Sequence, residues 1–146
     1  MLLLDVNVVV AAYRADLPQH ELVAAWLEDL AERLEPFTVP PVVWASFIRL
    51  VTNRRIFDPP SSLRAAFEFV DGVRARSNHV LLEPGPRYLE LLRQVCEESD
   101  VTGDLVSDAV LAAIALEHNC VVASLDRDFA RFSSIDFVVP GEGGAR

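Results

Sequence analysis

Two short, wholly apolar runs, Leu2-Leu3-Leu4 and Val121-Val122-Ala123, each give way to an acid: Asp5 after the first, and Asp126 just past Ser124 and Leu125 after the second. Runs this short do not make helices, and they lack the apolar–polar alternation of a strand with one wet face. Continuous apolar strands belong to parallel sheets whose two faces are both covered. Amphipathic stretches of helical period separate the runs, so strand and helix alternate along the chain. The arrangement specifies an α/β fold: a three-layer sandwich with a short, mostly parallel central sheet flanked by helices. In open sheets of this kind ligands bind beyond the carboxyl ends of the strands. Acids placed at those ends, although remote in sequence, are expected to converge there.

The remaining elements follow from period and punctuation. The first strand covers residues 1–4, and Asp5-Val6-Asn7 reads as a turn or helix cap. Residues 18–35 form a helix with Leu22, Val23, Trp26, Leu27, Leu30 and Leu34 as its apolar stripe. A short strand at 37–39 stops at Pro40-Pro41, and a helix runs from Val42 to about Arg54 with Pro41 suited to its first turn. Ser61 or Ser62 caps a helix reaching about Arg76. A strand at 80–82, a helix at 87–98, a helix from Asp104 to about His118 ending at Asn119, and strands at 121–123 and 137–139 complete the reading. Residues 1–140 are expected to form one domain, and the glycine-rich stretch 141–146 a flexible tail.

Composition removes several chemistries. All 13 basic residues are arginine, so neither a P-loop nor a Schiff-base mechanism is available. The net charge of −9 opposes nonspecific duplex binding, which needs many basic contacts to phosphate. The apolar stretches are too short to cross a membrane. Cys96 and Cys120 sit in apolar settings and read as buried thiols of a reducing cytoplasm. His20, His79 and His118 are widely spaced, without zinc-ligand spacing.

The carboxylates carry the chemistry. Asp5, Asp108 and Asp126 are the candidate metal ligands, because gathered carboxylates need a shared proton or a cation, and hard divalent ions prefer oxygen donors. Asp104 precedes Asp108 by four residues and shares its helix face if both are helical; it is either the helix cap or a fourth catalytic acid. Asn7, Ser46, Ser124 and Asp128 are placed to orient carboxylates or water. Asp128 reads first as the cap of a short helix that follows it. Arg49, Arg54 and Arg55 form a cluster, an uneven placement of positive charge that leaves a nuclease open despite the net −9.

Asp5-Val6-Asn7, then Asp108-Ala109-x-x-Ala112-Ala113-x-Ala115, then Ser124-x-Asp126-x-Asp128-Phe129 together resemble the PIN-domain family, in particular VapC-type toxins of bacterial toxin–antitoxin pairs. The likeness extends over nearly the whole chain, including Arg49-Leu50-Val51-Thr52-Asn53. It implies a Mg²⁺- or Mn²⁺-dependent ribonuclease that cuts structured RNA in the cytoplasm and is silenced by a cognate antitoxin, as a homodimer or a toxin–antitoxin hetero-oligomer. By position, Asp5, Asp108 and Asp126 match family acids, and Asp104 and Asp128 fall beside them. The family's usual glutamate in the helix after the second strand is absent: no acid lies between Glu35 and Asp58, and Ser46 or Trp44 takes its place. Two alternatives stay open, a PIN-like RNA- or protein-binding module with weakened catalysis and a small metal-dependent phosphoesterase.

Overall fold

The computed structural model describes residues 1–142. Four parallel strands form its sheet: β1 (Leu2–Leu4), β2 (Phe37–Thr38), β3 (Val121–Ala123) and β4 (Phe137–Val138), in the order β2-β1-β3-β4. Leu3, Leu4, Phe37, Val122 and Ala123 are sealed from solvent, as strands covered on both faces require. Six helices flank the sheet: α1 (Val6–Tyr13), α2 (His20–Glu32), α3 (Pro41–Val51), α4 (Leu63–Arg74), α5 (Tyr88–Ser99) and α6 (Val106–His118). α5 packs along α6; α1 packs against α2 and α3, and α3 against α4. Val23, Leu27 and Leu30 carry α2 into the core, whereas Leu22 and Leu34 at the ends of its stripe stay exposed.

α1 has no forecast in the sequence. Its segment, Val-Asn-Val-Val-Val-Ala-Ala-Tyr, is rich in β-branched residues that disfavour helix. The helix forms because Asp5 caps it, its Oδ1 accepting the Val6 N–H at 2.6 Å, and because Val8 to Ala12 are all buried. Burial against two neighbouring helices outweighs the few tenths of a kcal/mol lost per valine.

Three expectations are corrected. Residues 80–82 do not form a strand: a single bridge, Phe37 to His79, continues the edge beyond β2, with the Val80 N–H donating to the Phe37 carbonyl at 2.8 Å. β2 itself is only two residues long and runs into Pro40-Pro41, so the ladder soon lacks partners. α3 ends at Val51, not near Arg54, and Asn53 turns the chain, its side-chain carbonyl accepting the Arg55 N–H at 2.9 Å. α6 begins at Val106, preceded by a 3₁₀ turn at Gly103–Leu105 in which Gly103 has φ +60°. Asp104 therefore lies in that turn, not one helical turn before Asp108. The Asn119 stop holds as expected, in the left-handed region at φ 52°. Cys120 is buried and Cys96 half-buried, both as free thiols. Of the tail, Gly143 to Arg146 lie outside the described residues.

Candidate active site

β1 and β3 are neighbours with Leu4 opposite Ala123, so the residues that follow each strand meet at one end of the sheet. Asp5, almost wholly buried, uses both oxygens. Oδ1 takes the Val6 N–H, and Oδ2 accepts from the Ser124 hydroxyl at 2.7 Å and from Asn7 Nδ2 at 2.8 Å. Ser124, sealed from solvent, accepts in turn from Asn7 Nδ2 and from the Asp126 N–H, each at 3.0 Å. The Asn7 side-chain carbonyl accepts the Leu125 N–H at 3.0 Å. Asn7 and Ser124 thus tie the two strand ends together around one carboxylate. Burial drives the Asp5 carboxyl above its usual range, against the bonds from Ser124, Val6 and Asn7, and the Asp126 charge adds to the rise.

Asp126 directly follows this knot. Its Oδ1 accepts the Asp128 N–H at 2.8 Å, capping the 3₁₀ turn Arg127–Arg131. The cap expected of Asp128 therefore belongs to Asp126, and Asp128 instead pairs with Arg131 at 3.2 Å. Asp108 enters from the first turn of α6, half-buried. Its carboxyl is pushed up to about 6 by burial and then by the charges of Asp5 and Asp126, with Asp128 adding and Arg131 opposing. The charges of Asp5 and Asp126, from distant parts of the chain, thus both bear on Asp108, and that of Asp126 bears on Asp5. Asp104 is exposed and is not among the charges acting on Asp108.

A cavity of about 170 Å³ opens beside Asp5 and Asp108, with Ser46 and Ser107 as its other polar lining and Val6, Val43 and Leu111 among its walls. Ser46, not Trp44, faces the carboxylates; Trp44 is buried edge-on against Phe47. Ser107 was not expected, and its only sequence signal is that it immediately precedes Asp108. Arg49, Arg54 and Arg55 are exposed, line no part of this cavity, and make no ion pair among the described residues.

Among the described residues, no three Asp, Glu, His or Cys side chains close on a single point as a ready metal cage. The donor set still suits a Mg²⁺-like ion. The cavity offers two carboxylates and two hydroxyls, all hard oxygens, and such ions take one or two carboxylates while keeping several waters.

The model of the PIN domain matches residues 2–135. This chain belongs to the PIN-domain family. Over 140 residues this PIN domain is 56% identical to Ribonuclease VapC25 of Mycobacterium tuberculosis, covering 96% of the chain and 99% of that protein. VapC ribonuclease Mb2897 of Mycobacterium bovis is 44% identical over 143 residues, covering 98% and 97%. Among solved structures, VapBC2 of Rickettsia felis bound to a fragment of its promoter DNA superposes with a TM-score of 0.72 at 15% identity, covering 94% of this chain and 97% of that one. The sarcin–ricin loop cleaving toxin VapC20 of Mycobacterium tuberculosis gives 0.66 at 16% identity, covering 93% and 99%. At such identities the structural likeness speaks for the fold, and it agrees with the covered parallel sheet expected of the sequence.

Proposed function

We propose that this PIN domain is a divalent-metal-dependent endoribonuclease, the toxin of a toxin–antitoxin pair acting in the cytoplasm. One observation carries the reading: Asp5 and Asp108, from separate elements, line one cavity with Ser46 and Ser107, and the charges of Asp5 and Asp126 both bear on the Asp108 carboxyl. The names of the mycobacterial relatives support RNA as substrate. A cognate antitoxin partner is supported by the VapBC complexes among the structural neighbours.

In this reading Asp5 and Asp108 hold Mg²⁺ or Mn²⁺ from the cavity, and Asp126 acts from its rim. Such an ion, when bound, lowers the pKa of water and offsets the charge that builds on a phosphodiester under attack. The protein supplies position. Asn7 and Ser124 hold Asp5 in one rotamer, and Ser46 and Ser107 orient water across the cavity floor. Arg49, Arg54 and Arg55 steer the RNA backbone, and Asp104, in its exposed turn, helps only through water. Asp128 pairs with Arg131, whose charge partly offsets those of the acids around Asp108. Chain assembly follows as a homodimer or with the antitoxin.

The test is cleavage of a structured RNA and of mononucleotide phosphoesters, with Mg²⁺, Mn²⁺ or chelator, by wild type and Asp108→Asn. Metal-dependent cleavage of RNA alone, lost in the variant by at least about 100-fold, is the expected result. Turnover of mononucleotides in preference to RNA would point to a phosphoesterase instead.

A second reading has its own observation: at the position where the family usually carries glutamate, Ser46 gives the cavity a hydroxyl and no charge. That favours a PIN-like binding module with weakened metal affinity, since affinity for hard ions follows ligand charge. Calorimetric Mg²⁺ titration separates the two. Ser46→Glu is expected to tighten binding, and Asp104→Asn to weaken it less than Asp108→Asn does. Equal affinities for wild type and Ser46→Glu would remove Ser46 from the metal site.

A further inference from the structure

On the far side of Val6 from the acid cavity lies a second, larger hollow of about 390 Å³, and Val6 lines both. Its walls are apolar: Val10, Leu17, Leu50, Ile56, Phe57 and Leu125. Leu125 is the residue before Asp126, so this groove adjoins the reacting end of the sheet along two elements. Asn7 also borders it, but both ends of its amide are spent on Asp5, Ser124 and Leu125. The polar group left at the rim is the side chain of Gln19.

Phe57 is the chief surface. Arg14, which lines no part of the groove, stacks on it with the guanidinium 4.2 Å from the ring centroid. Arg14 also binds Asp16 at 2.6 Å, the Pro59 carbonyl and the Ser61 hydroxyl, each of the latter at 3.2 Å. The turn that carries Ile56 and Phe57 is therefore held from behind before anything binds. Beside them Arg54 and Arg55 are exposed and unpaired among the described residues. Residues 36–57 include Arg49, Arg54 and Arg55 and no acid, in a chain with 22 acidic residues and a net charge of −9.

We infer that this groove receives one unpaired base of the substrate RNA, from a nucleotide next to the cleaved phosphate, with Arg54 and Arg55 on its backbone. The inference rests on the ribonuclease reading above and adds a specificity site to it. An aromatic ring braced by a cation, apolar walls with room for a base and flanking arginines are what base stacking with phosphate contact requires. The same local excess of positive charge repels a basic protein segment.

The test uses 5′-labelled single-stranded RNA hexamers, intact or with one abasic position moved along the strand. Binding is read by fluorescence anisotropy in chelator, so it does not depend on cleavage. One abasic position is expected to weaken binding about 5- to 150-fold, the range for one stacked base, while the others change little. Ile56→Glu, at a half-exposed position, and Phe57→Leu, which keeps apolar bulk without the ring face, should each abolish that difference. Leu89→Glu, on exposed α5 surface, should preserve it. Equal binding of all abasic hexamers by wild type overturns the inference, as does unchanged discrimination by both groove variants. Unchanged RNA binding by Ile56→Glu combined with lost co-purification of the antitoxin reassigns the groove to the protein partner. Base-dependent binding with no cleavage on adding metal upholds the base site and overturns the ribonuclease reading.

Discussion

Ser124 is shut off from water, yet three groups depend on its one hydroxyl: the Asp5 carboxylate, the Asn7 amide and the Asp126 N–H. Ser124→Ala leaves these polar groups short of a partner in a dry site, a loss of about 1–3 kcal/mol, so the melting temperature should fall with activity. An unchanged melt would mean that water replaces the hydroxyl. Asp108 gives the opposite sign. Its folded carboxyl is pushed up to about 6 from a usual 3.8. Between those values the folded chain keeps a proton that the unfolded chain has released. Metal-free stability therefore falls as pH rises from about 4 through 6. Asp108→Asn removes this penalty. In chelator at pH 8 the variant should be more stable than wild type by about 1 kcal/mol, after allowance for solvent screening, and near pH 4 the two should coincide. Denaturant melts at both pH values check it, and Mg²⁺ should reverse the ranking at pH 8.

Elements show where local signals held and where they failed. α4 is legible because Ser62 caps it, its hydroxyl accepting the Ala65 N–H at 3.1 Å, and α6 stops where Asn119 takes the left-handed turn. Asn119→Ala forces a side chain with no such preference into φ 52°, and thermal unfolding should register about 1 kcal/mol of lost stability. α1 was illegible because its valines vote for strand and only packing makes it a helix. The 80–82 strand was over-read: its apolar residues are real, but β2 is too short to pair with them. In the site, Asp5, Asp108 and Asp126 were legible because each stands where an apolar run begins or ends. Ser107 was not, since a single serine in the first turn of α6 carries no pattern. The exchange of cap between Asp128 and Asp126 turned on a two-residue shift in where the short helix begins, which spacing alone does not fix.

Across the whole molecule, one stretch stands apart in charge. A net −9 protein gathers Asp5, Asp108 and Asp126 near one end of the sheet, while residues 36–57 carry Arg49, Arg54 and Arg55 and no acid. If three arginines meet phosphate, RNA binding should weaken with salt with a log–log slope of about −2, the value for three contacts to a single strand. Replacing Arg54 and Arg55 together by Gln should flatten that slope to about −0.7, the value for one remaining contact, measured by titration at several salt concentrations. A slope near zero would remove RNA from the arginine surface. The sheet order has one more consequence. β1 lies at the centre of the sheet, but it is made early, and the Ser124 that locks Asp5 is 119 residues further along the chain. On a ribosome β1 must wait for β3 before it gains its inner neighbour, and such non-local pairing forms late. The acids consequently cannot assemble on a partly synthesised chain. On the proposed function, the reactive centre would come into being only once the β3 segment has been made, so timing itself would keep an unfinished polypeptide from cutting RNA.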